Sequence, residues 1–171
     1  NRDLQQRERR FKGLIENGFE AISLLDKEMK PIYRSPAAEK ITGWSNDERT
    51  QVTGIERAHP DDLERFRNIA RYVLDNPGKL VEASIRTQHK DGHYIWLEGI
   101  MKNMLHDDAL GGIVANFRDV TERKQIEMQR ALYESIIQYS EDAIVTKSLT
   151  GTVMTWNRAA ESLFGYKAEE I

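Results

Sequence analysis

RSPAAEKITGW, residues 34–44, returns 122 positions later as WNRAAESLFGY, residues 156–166. Both copies carry Ala-Ala-Glu at the same internal position, then a Gly followed by an aromatic residue. Ser35 stands as a helix N-cap with Pro36 at the first helical position, and Gly43 is a C-terminal stop. In the second copy Asn157 takes the cap position. The phrase therefore predicts a short capped helix whose terminal Gly turns an aromatic back onto a core.

The same offset extends outward without a gap. It pairs Ile15 with Ile137, Ala21 with Ala143, Ile22 with Ile144 and Glu20 with Asp142, and it pairs Trp44 with Tyr166. One register held this long is an internal duplication, and its period is too long for a solenoid, so each unit is a domain. The first unit runs on for about seventy residues past Glu48, whereas the second reaches Ile171 soon after its own copy of the phrase. The expectation is a complete first domain and the beginning of a second, within a longer protein.

Composition narrows the chemistry. The 171 residues include no cysteine, 39% hydrophobic and 31% charged residues, and a formal charge of −3. Without cysteine there is no disulfide, zinc–thiolate site, iron–sulfur cluster or cysteinyl adduct, which fits a cytoplasmic setting. No apolar run is long enough to cross a bilayer, and the opening NRDLQQRERR lacks the apolar core of a secretory signal. Its arginines alternate with Asp3 and Glu8, which reads as a solvated helix face; neither nucleic acid nor a membrane is an expected partner of this segment.

Within the first unit, residues 1–17 read as a helix with Leu4, Phe11, Leu14 and Ile15 on one seam, stopped by Asn17-Gly18. FEAISLLD and PIYRS form a hairpin. HPDDLERFRNIARYVLD, 59–75, is an amphipathic helix with Leu63, Phe66, Ile69, Ala70, Val73 and Leu74 on its apolar face. Three further strand-like runs follow: KLVEASIRTQ, HYIWLEGIMKNML and GGIVANFRDV. The fold class is α+β, a five-stranded antiparallel sheet with helices on one face, flanked by an N-terminal and a linker helix.

HPDD ahead of a helix, the HKDGHYIWLEG hairpin and the closing FRDVTERK together resemble a PAS domain with its C-terminal PAC motif, and WNRAAESLFGY resembles the opening of a second one. The resemblance divides the chain into a signalling helix at 1–17, a PAS domain at 18–119, a linker helix at 120–139 and a further PAS start at 140–171. It departs from the family at Ser35-Pro36, where Asn is commoner. The resemblance implies a sensory module, from a sensor histidine kinase in the first instance or from a diguanylate cyclase or phosphodiesterase in the second. A ligand-free dimerisation scaffold is the rival reading.

The family's pocket lies between sheet and helices, which places its lining at Ile22, Leu24, Ile41, Trp44, Phe66, Ile69, Leu97, Ala115 and Phe117. Asn103 and Asn116 are the residues that a non-covalent flavin would use if they point inward; cap or strand-bridging roles are the plainer reading, as core packing is for Trp44 and Trp96. The helix 63–74 contains no His, which argues against haem. The expectation is no cofactor or a small molecule. His89, Asp91 and His93 around the KDG turn, and His106-Asp107-Asp108, lack a full ligand set, so no metal is expected. No phosphate loop, nucleophile elbow or paired catalytic carboxylates stand out, so no catalysis is expected of this segment.

Asp119-Val-Thr-Glu122 reads as a capping box, with Asp119 as cap and Glu122 as its partner, and Thr121 between them. The helix it opens carries Ile126, Tyr133 and Ile137 on a seam matching Leu4, Phe11 and Ile15. The expectation is a homodimer joined through these helices, with Asp119, Thr121 and Glu122 relaying a signal into the linker.

Overall fold

The computed structural model describes residues 2–49 and 52–171. Contacts divide the chain into two compact units, up to Thr121 and from Glu122 onward.

The first unit opens with helix α1, Arg2–Glu16, ended by Asn17 and Gly18, whose N–H groups return to Gly13 O and Ile15 O. The side chain of Leu4 lies outside the described residues. Strands β1 (Ala21–Leu25) and β2 (Pro31–Arg34) form a hairpin whose Asp26–Lys30 turn puts Met29 at φ 63°. Helix α2, Pro36–Thr42, follows at once and ends on Gly43 at φ 72°, whose N–H donates to Glu39 O. Ser35 sits at the cap position, but its hydroxyl makes no cap bond. It accepts instead from the Ile22 N–H at 3.0 Å, locking α2 to the inner hairpin strand.

Helix α3, Asn46–Arg49, and a 3₁₀ turn at Gly54–Arg57 lie between α2 and the long helix. The long helix begins later than its sequence suggests. Pro60–Asp62 is a 3₁₀ turn, and α4 spans Leu63–Asp75. Asp62 does not cap it; its carboxylate takes the Arg86 Nε, a terminal nitrogen and the backbone N–H at 2.8, 2.8 and 3.2 Å. That fork pins the start of α4 to the sheet, and the hydrogen-bonded guanidinium holds the Asp62 carboxyl below the ordinary carboxylate range.

Strands β3 (Leu80–Gln88), β4 (Tyr94–Met104) and β5 (Gly112–Asp119) complete an antiparallel sheet in the order β2-β1-β5-β4-β3. The register aligns Ala83 with Gly99, Gly99 with Phe117, and Ser23 with Ala115. The inner face is covered by α2 and α4. One core cluster joins Val73 of α4 to Met29, Met101, Ile113 and Ala115; a second joins Phe66 to Ala58, Ile85, Ile95 and Leu97. Burying Val73 and Phe66 contributes about 1.5–3 kcal/mol each. At Gly99 an added Cβ would lie 1.9 Å from Asn116 O, so β4 and β5 meet there with no room for a side chain.

The second unit contains most of helix α5 (Thr121–Tyr139), a hairpin of β6 (Val145–Lys147) and β7 (Val153–Trp156), and helix α6 (Arg158–Phe164). Here the side-chain cap forms as expected: Asn157 Oδ1 accepts from Ala160 N at 3.0 Å. Gly165, at φ 78°, ends α6 as Gly43 ends α2.

Candidate functional site

Beneath α2 and α4 the inner face of the first sheet leaves a cavity of about 90 Å³. On the scale on which a 150 Å³ cavity takes a benzene, this has room for roughly three to five non-hydrogen atoms. Phe66, Leu97, Ala115 and Phe117 line it, as the sequence suggests. Ile22 and Leu24 do not. Ala21, Ser23 and Leu25 point inward, and Ile22 pairs across β5 with Asn116 on the opposite face. Both alternating sets of β1 carry apolar residues, so the pattern does not name the buried face, and a one-residue reading shift reverses every assignment.

Three more expected lining residues sit elsewhere. Ile41 packs against the second core cluster and Ile69 against the first. Trp44 donates its indole N–H to Gln88 O at 3.0 Å, with the Arg57 guanidinium 3.7 Å over its ring. Neither asparagine is offered to a ligand in the cavity. Asn103, buried, caps α4 by donating to Val73 O and Leu74 O and accepts from Leu105 N. Asn116 lies on the outer face and donates to Glu20 at 2.7 Å. Ligand pockets of drug-sized molecules run to about 300 Å³ or more, so cavity size and the placement of both asparagines do not fit a flavin.

The polar lining is what sequence reading missed. Arg34, only 6% exposed, extends under α2 and gives its terminal N–H groups to Ala38 O, Thr42 Oγ1, Trp44 O and Ser45 O at 3.0, 2.9, 3.2 and 3.5 Å. All four acceptors are neutral. Burial pushes the Arg34 pKa down, opposed by the Glu39 charge. Glu39 in turn accepts from Asn46 N at 2.5 Å. Thr87 also lines the cavity; it is 2% exposed and its hydroxyl has no hydrogen-bond partner among the described residues. The available signal was a charged residue immediately before a capped helix, at a position where the second copy has a tryptophan.

At the β3–β4 turn, His89, Asp91 and His93 bring one potential ligand atom each within 4.8 Å. His89 Nδ1 already accepts from Asp91 N at 3.1 Å, and its ring stacks on His93.

β5 leaves the cavity wall for the relay. Val120 donates to Trp96 O at 2.9 Å, and Thr121 Oγ1 accepts from Trp96 N at 2.8 Å. The same hydroxyl donates to Asp119 Oδ1 at 2.5 Å, which also accepts from Thr121 N at 2.8 Å. The capping box expected here is replaced by this knot. Because α5 begins at Thr121, Glu122 is its second residue and Asp119 stands outside it. Along α5 no residue is buried, and Ile126 and Tyr133 are more than half exposed, with Ile137 partly covered; on α1 Phe11 is exposed and Ile15 partly covered. Among the described residues no helix is long and apolar enough to cross a membrane.

A five-stranded sheet cupping a cavity, with its final strand tied into a helix, defines a sensory module. Models of the PAS fold match residues 31–111 and 131–171, and the chain belongs to the PAS family. The sensor histidine kinase TmoS of Ectopseudomonas mendocina is 26% identical over 138 residues, covering 80% of this chain. The chain spans only 14% of that relative's length. Among solved structures, a PAS domain from Colwellia psychrerythraea has a TM-score of 0.58 at 24% identity, covering 70% of this chain and 98% of its own. The N-terminal domain of a diguanylate cyclase with a PAS/PAC sensor from Marinobacter aquaeolei has a TM-score of 0.50 at 23% identity, covering 61% and 98%.

Proposed function

We propose that this chain is the sensing and relay segment of a cytoplasmic signalling protein, a sensor histidine kinase, working as a dimer paired through α1 and α5. A small molecule entering the cavity displaces Ala115 and Phe117, and with them β5. The close approach of β4 and β5 at Gly99 leaves no slack to absorb the shift. The knot at Asp119 and Thr121 passes it to α5, and the two α5 helices of a dimer turn against each other along Ile126, Tyr133 and Ile137.

The observation that carries this reading is that one strand both lines the cavity and ends in the tied junction. The kinase relative supports that parent, and the cyclase-associated neighbour supports a diguanylate cyclase or phosphodiesterase as the alternative. The test is Thr121→Val in the parent protein. The variant keeps the side-chain shape and the backbone bond to Asp119 but loses the hydroxyl's bonds to Trp96 N and Asp119 Oδ1, and the expected result is output that no longer responds to stimulus while the first unit stays folded. Unchanged response overturns relay through this junction. Native mass spectrometry gives the subunit count, and a monomer at all concentrations removes the helical dimer.

A further inference from the structure

We infer that the cavity of the first unit takes a small organic anion, a carboxylate of about three to five non-hydrogen atoms, with its head toward Arg34 and Thr87 and its tail among Met29, Met101 and Ala115. The inference rests on the sensing role proposed above and names the chemistry of its ligand.

Two features of the cavity ask for this class. The first is a buried positive charge on the cavity wall whose hydrogen-bond acceptors are all neutral oxygens. Four Arg34 N–H groups are spoken for, and Nε has no acceptor among the described residues. The Glu39 charge offsets part of the cost of burying Arg34, and a carboxylate delivered from solvent into the cavity supplies a further negative charge. The second is the Thr87 hydroxyl, buried and unpartnered on the same cavity. Both groups line the same cavity. Apart from Ser23 and Thr42 the rest of the lining is apolar or backbone, which suits a short hydrocarbon tail and disfavours a polyanion.

The duplicated unit forms the same hairpin and capped short helix without the charge. Trp156 occupies the place of Arg34, and its indole N–H donates to Tyr166 O at 3.0 Å, the counterpart of the Arg34 bond to Trp44 O. Where the first unit sets Thr42 against the guanidinium, the second sets Phe164 against Trp156 with ring centroids 5.2 Å apart. A neutral aromatic pair thus does the structural work of bonding that carbonyl. What the arginine adds is charge facing a cavity.

The experiment is calorimetric titration of the 171-residue chain with acetate and propionate at constant ionic strength, against acetamide, propanamide and 1-propanol. The carboxylates are expected to bind and to raise the melting temperature, and the neutral compounds to bind at least tenfold more weakly, the discrimination expected when a buried group is left unpaired. Arg34→Met should abolish carboxylate binding. Should that variant fail to fold, Thr87→Val decides: it removes an unsatisfied hydroxyl, so the free protein should melt no lower while propionate binds about five- to tenfold more weakly. Neutral compounds binding as well as carboxylates, or propionate binding unaltered by Thr87→Val, overturns the anion assignment and leaves the sensing role standing. Binding by neither set removes the cavity as a ligand site and takes the sensing role with it.

Discussion

The two copies of the repeated phrase keep one backbone frame and fill it with different chemistry. In both, the hairpin turn closes through the same pair of backbone groups, Asp26 N to Lys30 O and Ser148 N to Thr152 O, each at 2.8 Å. In both, a glutamate of the short helix accepts from a backbone N–H seven residues on, Glu39 from Asn46 and Glu161 from Ala168. Among the many positions at which they part are four that matter here: Met29 against Gly151, Arg34 against Trp156, Ser35 against Asn157 and Thr42 against Phe164. Three of those four first-unit residues line the cavity. The frame therefore does not depend on the residues with which the first unit lines its cavity. Met29 is instructive: it holds a left-handed conformation that Gly151 adopts without strain, and it delivers a buried side chain to the cavity wall.

The largest break in the comparison is at the cap. Asn157, fully buried, accepts from Ile144 N and Ala160 N and donates to Ile137 O and Asp142 O, four bonds between 2.8 and 3.0 Å. It ties the end of α5 to β6 and α6. Ser35 makes one of the four equivalents, the bond from Ile22 N. Asn157→Ser, which rewrites the second unit as the first, is expected to cost about 3 kcal/mol and to speed amide exchange at Ala160 on the order of a hundredfold. Ser35→Ala, which strands a single N–H, should cost the first unit about 1 kcal/mol. Equal effects at the two positions would mean that the extra bonds of Asn157 contribute nothing.

A second, smaller contrast concerns the glycines that end α2 and α6. Gly43 and Gly165 share the left-handed conformation, and any side chain there carries a strain of about 1 kcal/mol. Gly43 has neighbours as well: an added Cβ would meet the His89 ring at 2.7 Å, whereas at Gly165 it meets nothing within 4 Å. Gly43→Ala is expected to cost about 2 kcal/mol and Gly165→Ala about 1 kcal/mol in denaturant unfolding. A Gly43→Ala cost no greater than that of Gly165→Ala would show that His89 yields freely and that the β3–β4 turn is not braced on α2.

Why some of this was legible in the sequence and some was not follows from the same residues. The helices and strands announce themselves through turn chemistry: Asn17-Gly18, Ser35-Pro36, Gly43 and Lys90-Asp91-Gly92 each mark a boundary where only certain backbones are allowed. Residues 45–58 carry no apolar period, and their short helix and 3₁₀ turn are fixed by local caps and by packing of Ala58 against the core. The start of α5 was misplaced by one residue because Asp119 uses its carboxylate on Thr121 and so remains on the strand side. The cavity was half legible. Large apolar residues on β4, β5 and α4 declare their face, but on β1 the inward set is Ala21, Ser23 and Leu25, which looks less buried than Ile22 and Leu24 beside it. Arg34 and Thr87 were invisible because a polar residue earns notice only when its burial is known.

The smallest contrast lies just after the glycines. Glu170 accepts from Lys167 N at 2.7 Å. Its counterpart Glu48 takes the matching bond from Ser45 N at 3.0 Å, and adds the Ser45 hydroxyl at 2.9 Å and the Lys90 ammonium at 2.8 Å. The Lys90 hydrogen bond, followed by those of Ser45, holds the Glu48 carboxyl down to about 2. Since the folded value is depressed, the contribution to stability is complete above the ordinary carboxylate value, about 4.3, and fades as pH falls toward 2. The carboxylate is solvent-accessible, so water and salt screen the pair and the stability at stake is slight. The expected observations are therefore spectroscopic: the Glu48 side-chain carbonyl titrates near pH 2 by NMR, and Lys90→Gln moves that midpoint upward with no change in melting temperature beyond replicate scatter. A midpoint unmoved by Lys90→Gln would assign the depression to Ser45 alone and remove Lys90 from the account of the first copy.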